Sequence, residues 1–170
     1  NYFGEQRFGR HGSNLQTADR LFRNPKLRLS RNKRSLILSA ARSLLFNQVL
    51  SARVNAGNWN APLVGDAMQL DGSHSYFIAE AVDADLSRRV ASQDIHSTGP
   101  LHGRGENPAQ GACRELEAAV LADHASWCAG LEAAGLKQGR RALRLGVTDL
   151  AWQWEPSGEL VLTFSLPAGA

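Results

Sequence analysis

Between Arg34 and Arg53, Leu38, Ala41, Leu45, Val49 and Ala52 recur at spacings of three and four, the pattern of one buried helical stripe. Leu36, Ile37, Leu44, Phe46 and Leu50 widen the apolar set well beyond that stripe. A helix this long and this apolar cannot leave a whole side in water, so other elements have to cover it on more than one face. Ser39, Arg42, Ser43 and Ser51 fall away from the stripe, and Asn32 is placed to cap the helix start.

The surrounding elements are shorter. Residues 1–15 read as a short strand and a glycine-rich loop, broken by Gly9, Gly12 and Ser13. Thr17 to Arg23 predicts a helix that stops at Asn24-Pro25, and residues 24–33 read as a basic linker and a domain boundary. Val64–Leu70 and Ser75–Val82 predict two strands joined through Asp71-Gly72-Ser73. Asp83 is the expected cap of a helix over Ala84–Ser92, and Ile95–Gly105 looks irregular. Asn107-Pro108 opens a predicted long helix that runs to Ala134 and closes at Gly135, with Leu116, Val120, Leu121, Trp127 and Leu131 inward. Arg141–Val147 predicts a strand. Leu150, Trp152 and Trp154 alternate toward the turn Pro156-Ser157-Gly158, and Leu160, Leu162, Phe164 and Leu166 return as a hairpin. Strands and helices without strict alternation argue for an α+β fold, a mostly antiparallel sheet with helices packed on it.

Charge is unevenly distributed. Residues 1–53 hold eleven Lys and Arg against two carboxylates, whereas residues 54–170 hold eight against fourteen. Nine of the eleven are Arg, which suits bidentate phosphate contacts. Two readings stand side by side: a face for nucleic acid, or a solvated basic surface. No apolar run approaches the roughly 18 residues of a membrane span. Cys113 and Cys128 lie on one predicted helix, too far apart to bridge, so reduced thiols and a cytosolic setting are expected. The five histidines and two cysteines have no ligand-like spacing, which predicts no metal site. Gly99–Gly105 lacks the Lys-Ser/Thr of a phosphate loop, and no serine sits in a nucleophile elbow.

Two groups carry candidate chemistry. In Asn1-Tyr2-Phe3-Gly4-Glu5-Gln6-Arg7-Phe8-Gly9, Phe3 can stack on a base and Asn1 can bond a base edge. Gly4 and Gly9 allow close backbone approach, and Arg7 can fork onto a phosphate or hold Glu5. The alternative is a strand whose Tyr2, Phe3 and Phe8 enter a core. In the second group, Arg31, Lys33, Arg34 and Arg42 cluster near a helix N-terminus, where anions are favoured. They either contact nucleic acid or cap and pair within the fold. A motif at the first residue, no leading Met, and an alternating strand near the end predict that the chain is the middle of a larger protein.

The opening motif, Arg31-Asn32-Lys33-Arg34-Ser35, Leu38–Ser43, Phe46-Asn47-Gln48, Gly65–Leu70 and Leu166-Pro167-Ala168-Gly169 together resemble the TruD family of tRNA pseudouridine synthases. The resemblance covers the whole chain and is densest over residues 1–50. It implies a circularly permuted catalytic domain interrupted by an inserted α+β domain. Residues 1–26 would end the first catalytic segment, 27–166 would be the insertion, and 167–170 would lead back to the catalytic domain. It implies an enzyme that acts on tRNA without a cofactor and isomerises a uridine, in bacterial members position thirteen of glutamate tRNA; a cytoplasmic monomer with neither metal nor membrane is expected. An Asp attacks the flipped nucleotide, the glycosidic bond breaks, and the base rejoins through carbon. Asn1 and Phe3 would line the pocket, with Arg7, Arg31, Lys33, Arg34 and Arg42 against RNA. The alternatives are a non-catalytic RNA-binding module and a generic basic interaction domain.

The family's Asp lies in a motif that none of this chain's aspartates matches, so the isolated 170 residues are expected to be inactive. Tritium release from uracil-labelled tRNA should stay at background; turnover by the isolated chain would contradict this.

Overall fold

The computed structural model describes residues 2–166. The long helix, α3, spans Arg31–Asn55 and is covered on two sides. Its N-cap is Ser30, not Asn32: the Ser30 Oγ accepts the Lys33 N–H at 3.3 Å. Preceding it are a single helical turn, α1 (Glu5–Phe8), a 3-10 turn at Arg10–Gly12, and α2 (Ser13–Arg23). Residues 5–8 are therefore helical rather than a strand, and α2 begins four residues earlier than its apolar pattern indicates. Asn14 explains part of this, because its Nδ2 donates to the Arg7 carbonyl at 3.1 Å and closes the α1 turn.

One side of α3 meets α2 and a later helix, α6 (Ala125–Ala133). Ala18, Leu21, Ile37, Leu38, Ala41, Leu45 and Leu131 form this core, with Phe22 and Trp127 edge-to-face beside it. The helices on the two sides of the 24–30 turn thus share one apolar cluster. The other side of α3 meets the sheet, where Phe46, Leu50 and Leu143 are buried against Phe3 and Leu101. Ser43 is buried as well, contrary to its polar placement in the pattern.

The sheet is antiparallel, ordered β2-β1-β3-β4, from β1 (Ala67–Leu70), β2 (Tyr76–Ile78), β3 (Ile95–Leu101) and β4 (Gly139–Ala142). β3 is the correction with the largest consequence: the stretch that reads as irregular is a central strand, buried from Ile95 to Pro100. Gly99 and Pro100 hide it. A Cβ on Gly99 would lie 2.9 Å from Leu143 Cδ2 and 3.0 Å from Phe46 Cε2, so the missing side chain lets α3 close onto the strand. The α4 helix (Ala84–Ala91) starts as expected, with the Asp83 Oδ1 accepting the Leu86 N–H at 2.7 Å.

The long helix expected over 107–134 is two, α5 (Gly111–Ala122) and α6, broken at Asp123-His124. Gly135 follows the second in the left-handed conformation, as expected. On α5 the buried positions are Cys113 and Glu117 rather than an apolar stripe. Both cysteines are free, and burial pushes the Cys113 thiol far up and the Cys128 thiol up to about 11. Strand β4 starts earlier and ends sooner than the expected 141–147. β5 (Thr148–Trp154) and β6 (Leu160–Ser165) form the expected hairpin as a separate two-stranded sheet, with Trp152 and Trp154 each 69% exposed.

Two buried ion pairs lock loops to this frame. Arg53 and Asp66, 1% and 0% exposed, meet bidentately at 2.9 and 3.0 Å, and Arg53 also holds the Asn58 and Ala61 carbonyls. Arg140 and Glu117 pair at 2.7 Å, braced by Asn107 and Thr98. Breaking a buried pair strands one charge. Asp66→Asn should therefore lower unfolding free energy by about 3–5 kcal/mol in urea titration; a loss below about 1 kcal/mol would contradict the role given to this pair.

Candidate nucleic-acid interface

Phe3 sits where the opening segment, α3 and β4 converge. The Asn47 side chain clamps its backbone: Phe3 N–H donates to Oδ1, and Nδ2 donates to the Phe3 carbonyl, both at 2.9 Å. Phe46 packs T-shaped against Phe3, with centroids 5.6 Å apart and planes at 77°. The Arg7 guanidinium lies 5.3 Å from the Phe3 centroid and that of Arg141 lies 4.4 Å away. Phe3 is half-buried, so it is neither a sealed core residue nor a free surface ring. Tyr2, by contrast, is 51% exposed and does not enter a core.

Arg7 turns to Ser39 on α3, with Nη1 3.0 Å from Oγ, rather than to Glu5. Burial, and then the neighbouring Arg7 charge, push the Arg141 pKa down. Two guanidiniums thus share one ring in a partly desolvated setting, a place where the field favours an anion. Arg141 also lines a cleft of about 760 Å³ with Asp71, His96 and Arg144. There Arg144 Nε donates to His96 Nδ1 at 2.8 Å, which leaves the Nε2 hydrogen to donate to Asp71 Oδ1 at 2.7 Å.

The two glycines of the motif differ. Gly9 has φ of 76°, and a Cβ there would lie 2.7 Å from the Ser13 Oγ, so the turn itself requires glycine. Gly4 has φ of −79° and open space where a Cβ would go, so the fold makes no such demand.

The basic group divides too. Arg31 and Lys33 are exposed and Arg34 is half-buried at the start of α3, beside exposed Arg20, Arg23, Lys26 and Arg28 around the α2–α3 turn. Arg42 is engaged in the fold: its Nη2 donates to the carbonyls of Leu101, at 2.7 Å, and Lys137. Burial lowers its pKa. Asn1 lies outside the described residues. Sequence reasoning missed Arg141. Its signal was the Arg140-Arg141 pair on a strand, whose alternation sends one side chain toward Glu117 and the next toward Phe3.

The model of the family described as tRNA pseudouridine synthase D (TruD) matches residues 13–170. The chain belongs to the TruD family. Proteins named tRNA pseudouridine synthase D from Nitrosococcus oceani and Methylococcus capsulatus are 56% and 51% identical to it, over 100% and 99% of the chain. The chain spans about half the length of these curated relatives, 48% of each. A solved TruD structure from Methanosarcina mazei superposes with a TM-score of 0.68 at 22% identity, covering 89% of this chain and 40% of that one. The α+β architecture is thus the TruD fold over this stretch. Among the described residues no helix is long and apolar enough to cross a membrane.

The glycine contrast gives a direct test in this TruD-family chain. Gly4→Ala should leave the urea midpoint nearly unchanged, within about 0.5 kcal/mol. Gly9→Ala should cost about 1–3 kcal/mol. Equal costs at the two positions would contradict the finding that the fold requires glycine at Gly9 and not at Gly4.

Proposed function

We propose that the protein to which this chain belongs isomerises a uridine of tRNA to pseudouridine, with position thirteen of glutamate tRNA as the substrate site. The observation that carries the reading is the half-buried Phe3 ring, fixed by Asn47 and Phe46 and flanked by Arg7 and Arg141. An aromatic ring held rigidly, with cations beside it, suits a uracil taken out of its stack together with its phosphate. Family membership and the names of the relatives support the same reaction.

Phe3 stacks on the target uracil, and Asn1 bonds its edge. Arg31, Lys33 and Arg34 meet the tRNA backbone, and Arg7 reaches RNA from beside the ring. Arg42 contributes by holding α3 to β3 and β4. The nucleophile is an Asp outside the 170 residues. Supporting this, the buried Asp66 is spent on Arg53, and Asp71, the aspartate in the cleft that Arg141 lines, is paired with His96. In this reading residues 1–26 and 167–170 belong to the catalytic domain and 27–166 to the insertion, in a cytoplasmic monomer that needs neither cofactor nor metal.

Phe3→Ala in the full-length protein removes the platform. Base–aromatic stacking predicts a loss in kcat/KM of roughly 10- to 100-fold, read as pseudouridine formed in tRNA. Wild-type kcat/KM in Phe3→Ala would overturn the platform role, and tRNA binding without any isomerisation by the full-length wild-type protein would favour a non-catalytic RNA-binding module.

A further inference from the structure

Arg141 reaches Phe3 from a strand far along the chain, and several features fix it there. Its strand neighbour Arg140 points to Glu117, so alternation turns Arg141 to the opposite face of β4. That face also holds Leu143, buried against Phe46. In the β3–β4 register Arg141 stands opposite Gly99, the residue whose missing side chain lets Phe46 and Leu143 close in. The guanidinium therefore sits in a packed corner, 4.4 Å from the Phe3 centroid and closer than Arg7. A guanidinium over a ring face is attracted by the ring quadrupole, more strongly as water is excluded.

We propose that Arg141 is a positioning residue of the pseudouridine reaction: its guanidinium, held on β4, sets the orientation of the Phe3 ring on which the target uracil stacks. The inference rests on the reading of Phe3 as the base platform. Asn47 fixes the backbone of Phe3, but two hydrogen bonds to backbone leave the side-chain torsions free. Phe46, packed T-shaped against the ring, and Arg141 near its face supply that restraint. Arg141 thereby couples β4 to a ring in the opening nine residues, so the sheet, and not only the motif, determines how the uracil is presented. Loss of the cation loosens the ring while the fold around it stands on α3.

The test uses the full-length protein and a double-mutant cycle. Arg141→Ala and Arg141→Met should each lower kcat by about 5- to 30-fold with KM changed less than about twofold, and Arg141→Lys should recover part of the loss. In a Phe3→Ala background, Arg141→Ala should change kcat by less than about twofold, because the group it acts through is gone. A 4-fluorophenylalanine at position 3 reads the contact without turnover: its fluorine resonance should move in Arg141→Met and return toward wild type in Arg141→Lys. An unmoved resonance in Arg141→Met overturns the proposal. So does an equal kcat loss in both backgrounds, or a rise in KM with unchanged kcat and a salt slope lower by about one, the mark of a plain phosphate contact. Wild-type kcat in Phe3→Ala alone would instead overturn the platform reading, and the inference with it.

Discussion

The closure of α3 onto β3 at Gly99 is the contact on which the rest of the structure depends. A long helix buried on two sides has to approach a sheet on one of them, and Phe46 makes that approach at a strand position with no side chain. The same closure brings Leu143 and Arg141 of the neighbouring β4 region to the Phe46 corner. Asn47, next along α3, then captures the backbone of Phe3. One helical turn thus buries a core residue and orders the segment that carries the candidate chemistry.

Polar groups hold the frame around this corner. Arg42 ties α3 to the ends of β3 and β4 through main-chain carbonyls, and Arg53 ties its C-terminal turn to the 58–66 loop through Asp66. Arg140 joins β4 to α5 through Glu117. Each of these cations acts inside the fold. Exposed basic residues gather around the α2–α3 turn at Arg20, Arg23, Lys26, Arg28, Arg31 and Lys33, and others such as Arg10, Arg88, Arg104, Arg114 and Lys137 are spread over the rest of the surface. The chain therefore uses arginine in three settings: buried in ion pairs, stacked on an aromatic platform, and open to solvent.

Much of this was legible in the sequence where the signal is local. The α3 stripe, the Asp83 cap, the Gly135 stop and the 156–158 turn all depend on neighbours within a few residues, and all were found. What was missed depends on distant partners. β3 carries Gly-Pro, which reads as a loop until Phe46 is known to fill the space beside it. The α5–α6 break leaves no proline or glycine at Asp123-His124 to announce it. Glu117 breaks the apolar pattern of α5 because its partner is 23 residues on, and Ser43 is buried although its hydroxyl reads as surface. In the site, Phe3 and Arg7 were read from the motif, whereas Asn47 and Arg141, which hold and flank the ring, emerge only from packing.

The central claim is that Phe3, fixed at this corner, receives the base. Photocrosslinking the full-length protein to tRNA with 5-bromouridine at the target position, followed by peptide mapping, tests it most directly. The account predicts that the crosslink falls on the peptide containing Phe3 and disappears in Phe3→Ala. A crosslink confined to the α2–α3 turn or to the β5–β6 hairpin, with the Phe3 peptide unmodified, would contradict it.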